Sequence, residues 1–256
     1  MIVRIDDPSD PRIADYRDVR ERDLQRGGGF MAEGEVVLRK AIHGRHVLRS
    51  LLLAEDRVAA LADVIAALPD TVPVHVAPQA LMDGVVGFHI HRGVLAYGER
   101  AAEPDPDALL AETDLVLVLY GVANTDNMGG VFRNAAAFGV GTVLLDETCC
   151  DPLYRKAIRT SVGASLLVPF ARTPDPLAAL ERAGFTAIAL SPSGAETLHA
   201  LKRPGRAALL LGTEGPGLPD AVMTRCRTVS IPMSGGFDSL NLATTSGIAL
   251  HQLAFG

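Results

Sequence analysis

Leu115–Val140 reads LVLVLYGVANTDNMGGVFRNAAAFGV, and this stretch decides the fold. Its first nine residues are apolar or small throughout. That pattern suits a strand buried on both faces rather than a half-exposed one, which would alternate. The residues from Asn127 onward carry helical spacing and end at Gly139, a common helix stop. Asn127-x-Gly129-x-x-x-Arg133 therefore sits where a buried strand hands over to a helix. The same alternation continues outward. GTVLLDE, FTAIALS, AALLLGT and TVSIPM read as strands. PLYRKAIRTSVGA, DPLAALERAG and SLNLATTSGIALHQLAF read as helices. Strand–helix alternation predicts an α/β fold with a mostly parallel sheet and helices on both faces. Ligands of such sheets bind at the carboxyl ends of the strands.

Toward the N-terminus, AAEPDPDALLAETD holds two prolines and several acids, and residues 101–112 are expected to be a linker. Residues 27–100 form a smaller α/β unit. Within it, FMAEGEVVLRKAIHG has helical spacing, DRVAALADVIAAL reads as a helix, and RHVLRSLLLAE, TVPVHVA and RGVLAYGE read as strands. Residues 1–26 mix Asp and Arg with little apolar period and read as a solvated extension. Gly27-Gly28-Gly29 ends it. The larger domain is then residues 113–256.

The chain has 256 residues, is 48% hydrophobic and carries a net charge of −6. It can bury a real core. Neither the first 100 residues nor the remainder is basic overall, so nucleic-acid contact would have to come from local patches or a shared groove. No apolar run reaches the roughly 18 residues needed to span a bilayer. MIVRIDDPSDPR lacks the apolar stretch of a signal peptide. Cytoplasmic residence is the expectation. Cys149, Cys150 and Cys226 form no Cys-x-x-Cys pair and are expected to be free thiols. His89 and His91 share a strand face but have no third ligand, so no metal site is expected.

Two further motifs follow the first. Gly212-x-Glu214-Gly215-x-Gly217-Leu218-Pro219 is a glycine-rich turn after a strand. It lacks the Gly-Lys-Ser/Thr ending of a phosphate loop. Ile231-Pro232-Met233 leads to Ser239-Leu240-Asn241 at the start of the last helix. Each residue also has a plain structural reading. Asn127 and Ser239 would serve as helix N-caps, Glu214 as a solvated acid in a tight turn, and Arg133 as a surface arginine. Arg155, Lys156 and Arg159 cluster on one predicted helix, with 155 and 159 one turn apart. They read as a phosphate-contact patch or as a solvated face.

The three motifs in this order resemble the SpoU family of RNA ribose 2′-O-methyltransferases, within the SPOUT superfamily. The resemblance covers nearly the whole chain after residue 27. It implies S-adenosylmethionine as cofactor, rRNA or tRNA as substrate and a homodimer formed through the C-terminal domain. It also implies a trefoil knot in residues 113–256 and an L30e-like RNA-binding fold in 27–100, with His91 near that domain's end. By resemblance Arg133 is catalytic and Asn127 lies near the acceptor ribose. Glu214 supports the site, and Ser239 and Asn241 line the acceptor side. Gly212, Ile231 and Leu240 hold the cofactor through main-chain atoms, with Met233 and Leu190 beside them. A guanidinium with a pKa above about 12 rarely releases a proton, so Arg133 suits clamping a phosphate and stabilising a developing alkoxide better than acting as a base. The chain departs from the family after Asn241, where Leu242-Ala243-Thr244-Thr245 replaces the usual Val-Ser-Val-Ala. A catalytically silent RNA-binding or ribosome-assembly factor on the same fold is the alternative. The intact Asn127, Arg133, Glu214, Ser239 and Asn241 argue against it. A dinucleotide enzyme is disfavoured because no Gly-x-Gly-x-x-Gly follows the first strand.

Overall fold

Residues 2–17 do more than the sequence suggests. In a computed structural model that describes residues 2–17, 21–86, 93–235 and 239–256, β1 (Ile2–Arg4) is an integral strand. It pairs in parallel with β4 (Val74–Ala77). Ile5, Ile13 and Tyr16 are fully buried in the same core as Leu52, Met82 and Leu95, and the Tyr16 hydroxyl meets Ser50 Oγ at 2.8 Å. The solvated extension expected for residues 1–26 is thus corrected. Its buried residues Ile5, Ile13, Tyr16 and Leu24 lie among charges, and the 3-10 helix Pro11–Tyr16 repeats every three residues, so no 3.6-residue stripe exists to be read.

Met1–Ala101 and Leu153–Leu167 form one unit, and Ala102–Pro152 and Val168–Gly256 a second. The first unit continues with α1 (Glu21–Arg26), β2 (Gly29–Glu33), α2 (Glu35–Ala41), β3 (Val47–Ala54), α3 (Ala62–Ala67), α4 (Gln79–Val86) and β5 (Val94–Glu99). Its sheet has the order β1-β4-β3-β5-β2. The first three strands run parallel, while β5 is antiparallel to both β3 and β2. All five residues of β2 are buried. Phe30–Glu33 is therefore a strand and not part of the helical stretch expected there, because a short run buried on both sides has no alternation to show. Gly34, at φ 94°, separates the two elements.

The second unit opens with α5 (Pro106–Ala111), β6 (Leu115–Leu119), α6 (Thr125–Ala137) and β7 (Thr142–Leu145). The predicted linker therefore contains a helix. Asp105 caps it by accepting from Asp107 N, and Leu110 is fully buried. Pro106, read as a break, sits in the first turn, where a missing N–H costs nothing. α7 (Arg155–Thr160) belongs to the first unit and packs against β2. The second unit resumes with β8 (Phe170–Arg172), α8 (Pro176–Arg182), β9 (Thr186–Leu190), β10 (Glu196–Thr197), β11 (Ala207–Leu211), α9 (Asp220–Met223), β12 (Arg227–Ser230) and α10 (Leu242–Phe255).

Its sheet has the order β10-β12-β9-β11-β6-β7-β8, and every pairing is parallel. β6 and β11 lie in the middle, paired from Leu115↔Ala207 to Leu119↔Leu211. Alternation sorts their side chains. Val116, Val118, Ala208 and Leu210 join Leu110 of α5 and Leu177 and Leu180 of α8 in one core cluster. α6 and α10 contribute nothing to that cluster. Their buried Met128, Val131, Phe132, Ala249, Leu250 and Leu253 serve the other face, with α10 against β11 and α6.

The α6–α10 contact is close. A Cβ added at Gly130 would lie 2.6 Å from the Ala243 Cβ, nearer than two carbons can approach. Gly130→Val should therefore lose about 1–3 kcal/mol of stability by overpacking. Adding Ala243→Gly should return at least about half of that loss in urea unfolding, because the two positions share one contact. No recovery in the double variant would mean that some other contact sets the helix spacing.

Candidate active site

β6 delivers the chain to the site and a tight turn redirects it. Gly121 adopts φ 66°, and its N–H donates to both carboxylate oxygens of Asp146 at 3.1 Å. Burial of Asp146 raises its pKa, but hydrogen bonds from Thr148, Gly121 and Cys149 outweigh that and hold it below the ordinary carboxylate value. Asn124 then caps α6, its Oδ1 accepting from Asp126 N at 2.8 Å and Asn127 N at 3.2 Å. Asn127 is not the cap. The turn after β6 uses residues 120–123, so the first of the two asparagines in NTDN meets the helix amides.

Asn127 is thereby free for other partners. It is only 5% exposed. Its Nδ2 donates to Glu214 Oε1 at 2.8 Å, and its Oδ1 accepts from Asn241 Nδ2 at 2.9 Å. Asn241, rather than Ser239, caps α10, with Oδ1 accepting from Ala243 N at 2.9 Å and Thr244 N at 3.3 Å. These caps fix the direction of the whole relay. Backbone N–H groups can only donate, so the Asn241 oxygen must face them and its nitrogen must face Asn127. Asn127 then presents its own nitrogen to Glu214, which must accept. One residue from each of the three motifs is joined in this line.

Glu214 lies on a loop that folds on itself. Thr213 and Gly217 pair across it, with Gly217 N donating to Thr213 O at 3.0 Å. A Cβ at Gly212 would fall 2.2 Å from the Gly217 carbonyl carbon, so no other residue fits without moving backbone. Beside this loop is a cleft of about 440 Å³. It lies beyond the carboxyl ends of β9, β11 and β12 and beside the first turn of α10. Leu190, Gly212, Ile231, Met233 and Leu240 all line it, as do Glu214, Ser239 and Asn241. Ser191, Thr213 and Thr245 add hydroxyls that the sequence reading did not single out.

Arg133 does not line the cleft. It is exposed on α6 and makes no hydrogen bond or ion pair with a described residue. Arg155, Lys156 and Arg159 lie on α7 in the first unit. Arg159 Nη1 is 3.7 Å from Oε2 of the buried Glu33, and the Arg155 backbone N–H donates to Glu21 at 2.9 Å. Arg159 thus has an internal carboxylate partner, a role its spacing could not reveal. His89 and His91 lie outside the described residues. Among those described, no group of His, Cys, Asp and Glu could hold a metal ion. The cysteines are free. Burial pushes the Cys149 thiol up to about 12 and the Cys150 thiol up to about 11. No described helix is long and apolar enough to cross a membrane.

Residues 114–251, which contain all three motifs, match the SpoU rRNA Methylase family. The chain belongs to the SpoU rRNA methylase family. It is 40% identical over 260 residues to a Mycobacterium bovis protein described as an uncharacterized tRNA/rRNA methyltransferase, covering 96% of this chain and 89% of the relative. It is 30% identical over 171 residues to the 23S rRNA (guanosine-2′-O-)-methyltransferase RlmB of Vibrio parahaemolyticus, covering 63% of this chain and 69% of that protein. The AdoMet-bound rRNA methyltransferase structure from Sinorhizobium meliloti superposes with a TM-score of 0.82 at 22% identity, covering 98% of this chain and 97% of that one. That likeness speaks for a shared fold along nearly the whole chain. SpoU membership makes this chain an RNA methyltransferase.

If the relay is energetically coupled, Asn127→Ala and Asn241→Ala together should cost less than the sum of the two single changes. A coupling of about 0.5 kcal/mol or more in unfolding experiments would be typical of side chains in contact. Strict additivity would show that the line of hydrogen bonds carries no energy of its own.

Proposed function

We propose that this SpoU enzyme transfers a methyl group from S-adenosylmethionine to a ribose 2′-hydroxyl of rRNA or tRNA. The observation that carries this reading is the Asn241–Asn127–Glu214 relay at the edge of the cleft. The cleft fits a nucleoside. Its volume lies within the usual range for small-molecule sites, and Leu190, Leu211, Ile231 and Leu240 offer apolar walls. Gly212 has no side chain, so it lines the cleft with main chain alone, which suits polar recognition. When bound there, S-adenosylmethionine supplies a methyl group on a positively charged sulfur.

The chain's own residues then have two tasks. Gly212, Ile231 and Leu240 hold the donor through main-chain atoms, with Leu190 and Met233 beside them. Ser239, Asn241, Asn127 and Glu214 shape the acceptor side. Arg133, exposed and without a partner among described residues, clamps the RNA phosphate and stabilises the alkoxide as it forms. The 2′-OH proton passes to phosphate or water. Alignment of this kind can supply several kcal/mol of the barrier.

Residues 27–100 serve as an L30e-like RNA-binding domain, aided by Arg155 and Lys156, with Arg159 able to join if it exchanges Glu33 for phosphate. Residues 113–256 carry the trefoil knot. The enzyme acts in the cytoplasm as a homodimer through this C-terminal domain. Supporting that surface, Ile248 and Phe255 of α10 are 42% and 71% exposed, and Phe255 continues an edge-to-face stack with His251 and Phe138. Light scattering should give about twice the 27.0 kDa chain mass; the single-chain mass at micromolar concentration would contradict the dimer.

Calorimetry should detect S-adenosylmethionine binding to the wild type. Gly212→Ala should weaken it at least about tenfold, because the loop backbone must move to admit a methyl group. Arg133→Ala should bind the donor normally yet lose methyl transfer, the pattern of an interaction made in the transition state. Arg133→Lys should also be poor, since an ammonium lacks the planar fork. Methylation by Arg133→Ala within about threefold of wild type, well under 1 kcal/mol of barrier, would remove Arg133 from the mechanism.

A further inference from the structure

One side chain outside the relay is built as if to aim it. Asn127, Gly130 and Asn134 of α6, and Phe138 at its C-cap, follow one another at helical spacing, and together they face α10. Asn127 meets Asn241. Gly130 lies against Ala243 with no side chain between. Phe138 stacks edge-on with His251 and Phe255 at the far end. Between them, Asn134 Nδ2 donates to the Ala243 carbonyl at 2.6 Å and to Ser246 Oγ at 2.8 Å. Ser246 is fully buried, and its hydroxyl donates to the same carbonyl at 2.7 Å. Having spent its proton there, Ser246 can only accept from Asn134. Both neighbours of the Asn134 nitrogen are therefore acceptors, and position 134 must be a donor. Gly247 keeps the space open, since a Cβ there would come within 3.2 Å of that nitrogen.

We infer that Asn134 is a positioning residue for methyl transfer: its amide clasps the first turn of α10 and so holds Asn241 where it can reach Asn127. The inference rests on the methyl-transfer reading above. Asn134 itself does not line the cleft. Ala243, which it grips, is two residues from Asn241 and next to Leu242. Asn241, Leu242 and Thr245 all line the cleft. A displacement of about 1 Å in a group that aligns reactants can cost on the order of a hundredfold in rate, so a lost clasp should appear in turnover.

The test is Asn134→Asp, which keeps the shape and inverts the hydrogen bonding. An ionised carboxylate cannot donate to Ala243 or Ser246 and repels both. Once protonated, it can donate one bond. The sign follows: among acceptors the new carboxyl has a raised pKa in the folded state, so its penalty is small at low pH and grows as pH rises through that value. Relative to wild type at the same pH, turnover should be down at least about tenfold near pH 8.5 and recover several-fold near pH 6, with the KM for RNA little changed. The thermal midpoint relative to wild type should rise over the same interval, with or without RNA. Asn134→Ala should lose turnover about tenfold with no such pH dependence, which covers the case in which the aspartate variant does not fold at high pH. Wild-type turnover in Asn134→Ala, or an Asn134→Asp deficit equal at every pH, overturns the inference while leaving an active wild type and the methyl-transfer reading intact. A wild type that binds but never transfers a methyl group sinks the reading instead, and the pH-dependent midpoint still decides whether the clasp exists.

Discussion

Asn127 makes two hydrogen bonds that tie together segments far apart in the chain. Glu214 is 87 residues away and Asn241 is 114. For both bonds to form, α6 and α10 must approach closely, and Gly130 permits that approach. The loop from Gly212 to Gly217 must also turn back on itself, which its backbone allows only with glycine at 212. The parallel order of β6 and β11 must bring their carboxyl ends side by side. Each requirement is met by local chemistry that looks ordinary alone: two helix caps, two glycines and an apolar strand pair. Their joint consequence is a directed line of donors and acceptors running from the amides of α10 to a carboxylate.

Much of this was legible in the sequence. The uniform apolar runs at 115–119 and 207–211 mark central strands because both faces are covered by helices. The alternation around them gave the parallel sheet. The cleft-lining residues were named by the family resemblance that the three motifs carry, not by spacing alone; Leu190, for one, lies in none of the motifs. The assignment of caps was not legible. Asn124 and Asn127 both stand near the start of α6, and Ser239 and Asn241 near the start of α10. Only the path of the preceding turn decides which one meets the free amides. Asn134 carried no signal either, because an asparagine inside a helix reads as a solvent-facing residue until its partner helix is known. β2 and α5 were hidden for different reasons: a short strand buried on both sides has no period, and a proline in the first turn looks like a break.

Charge is a poor guide to RNA binding in this chain. Its net charge is −6, but many acids are paired locally with arginines. Arg39 bonds Glu35 and Asp63, Arg182 bonds Asp107, and Arg225 and Arg227 bond Glu181 and Glu196. Such exposed pairs add little stability, yet they neutralise both partners as ligands for anything else. Arg133 differs from these paired arginines, as does Arg26: nothing described pairs with either. Arg159 illustrates the opposite case, a cation in the predicted patch that is matched by buried Glu33. Which arginines are available to phosphate is therefore set by tertiary pairing rather than by composition.

The central claim is that this arrangement serves methyl transfer to a ribose hydroxyl. The most direct measurement supplies S-adenosylmethionine with an isotopically labelled methyl group, together with rRNA and tRNA lacking the modification, and locates the label by mass spectrometry of the digested nucleosides. The account predicts label in 2′-O-methylated nucleosides, on the ribose and not on the base. Label on a nucleobase, or no label at all from protein that binds both donor and RNA, would contradict it.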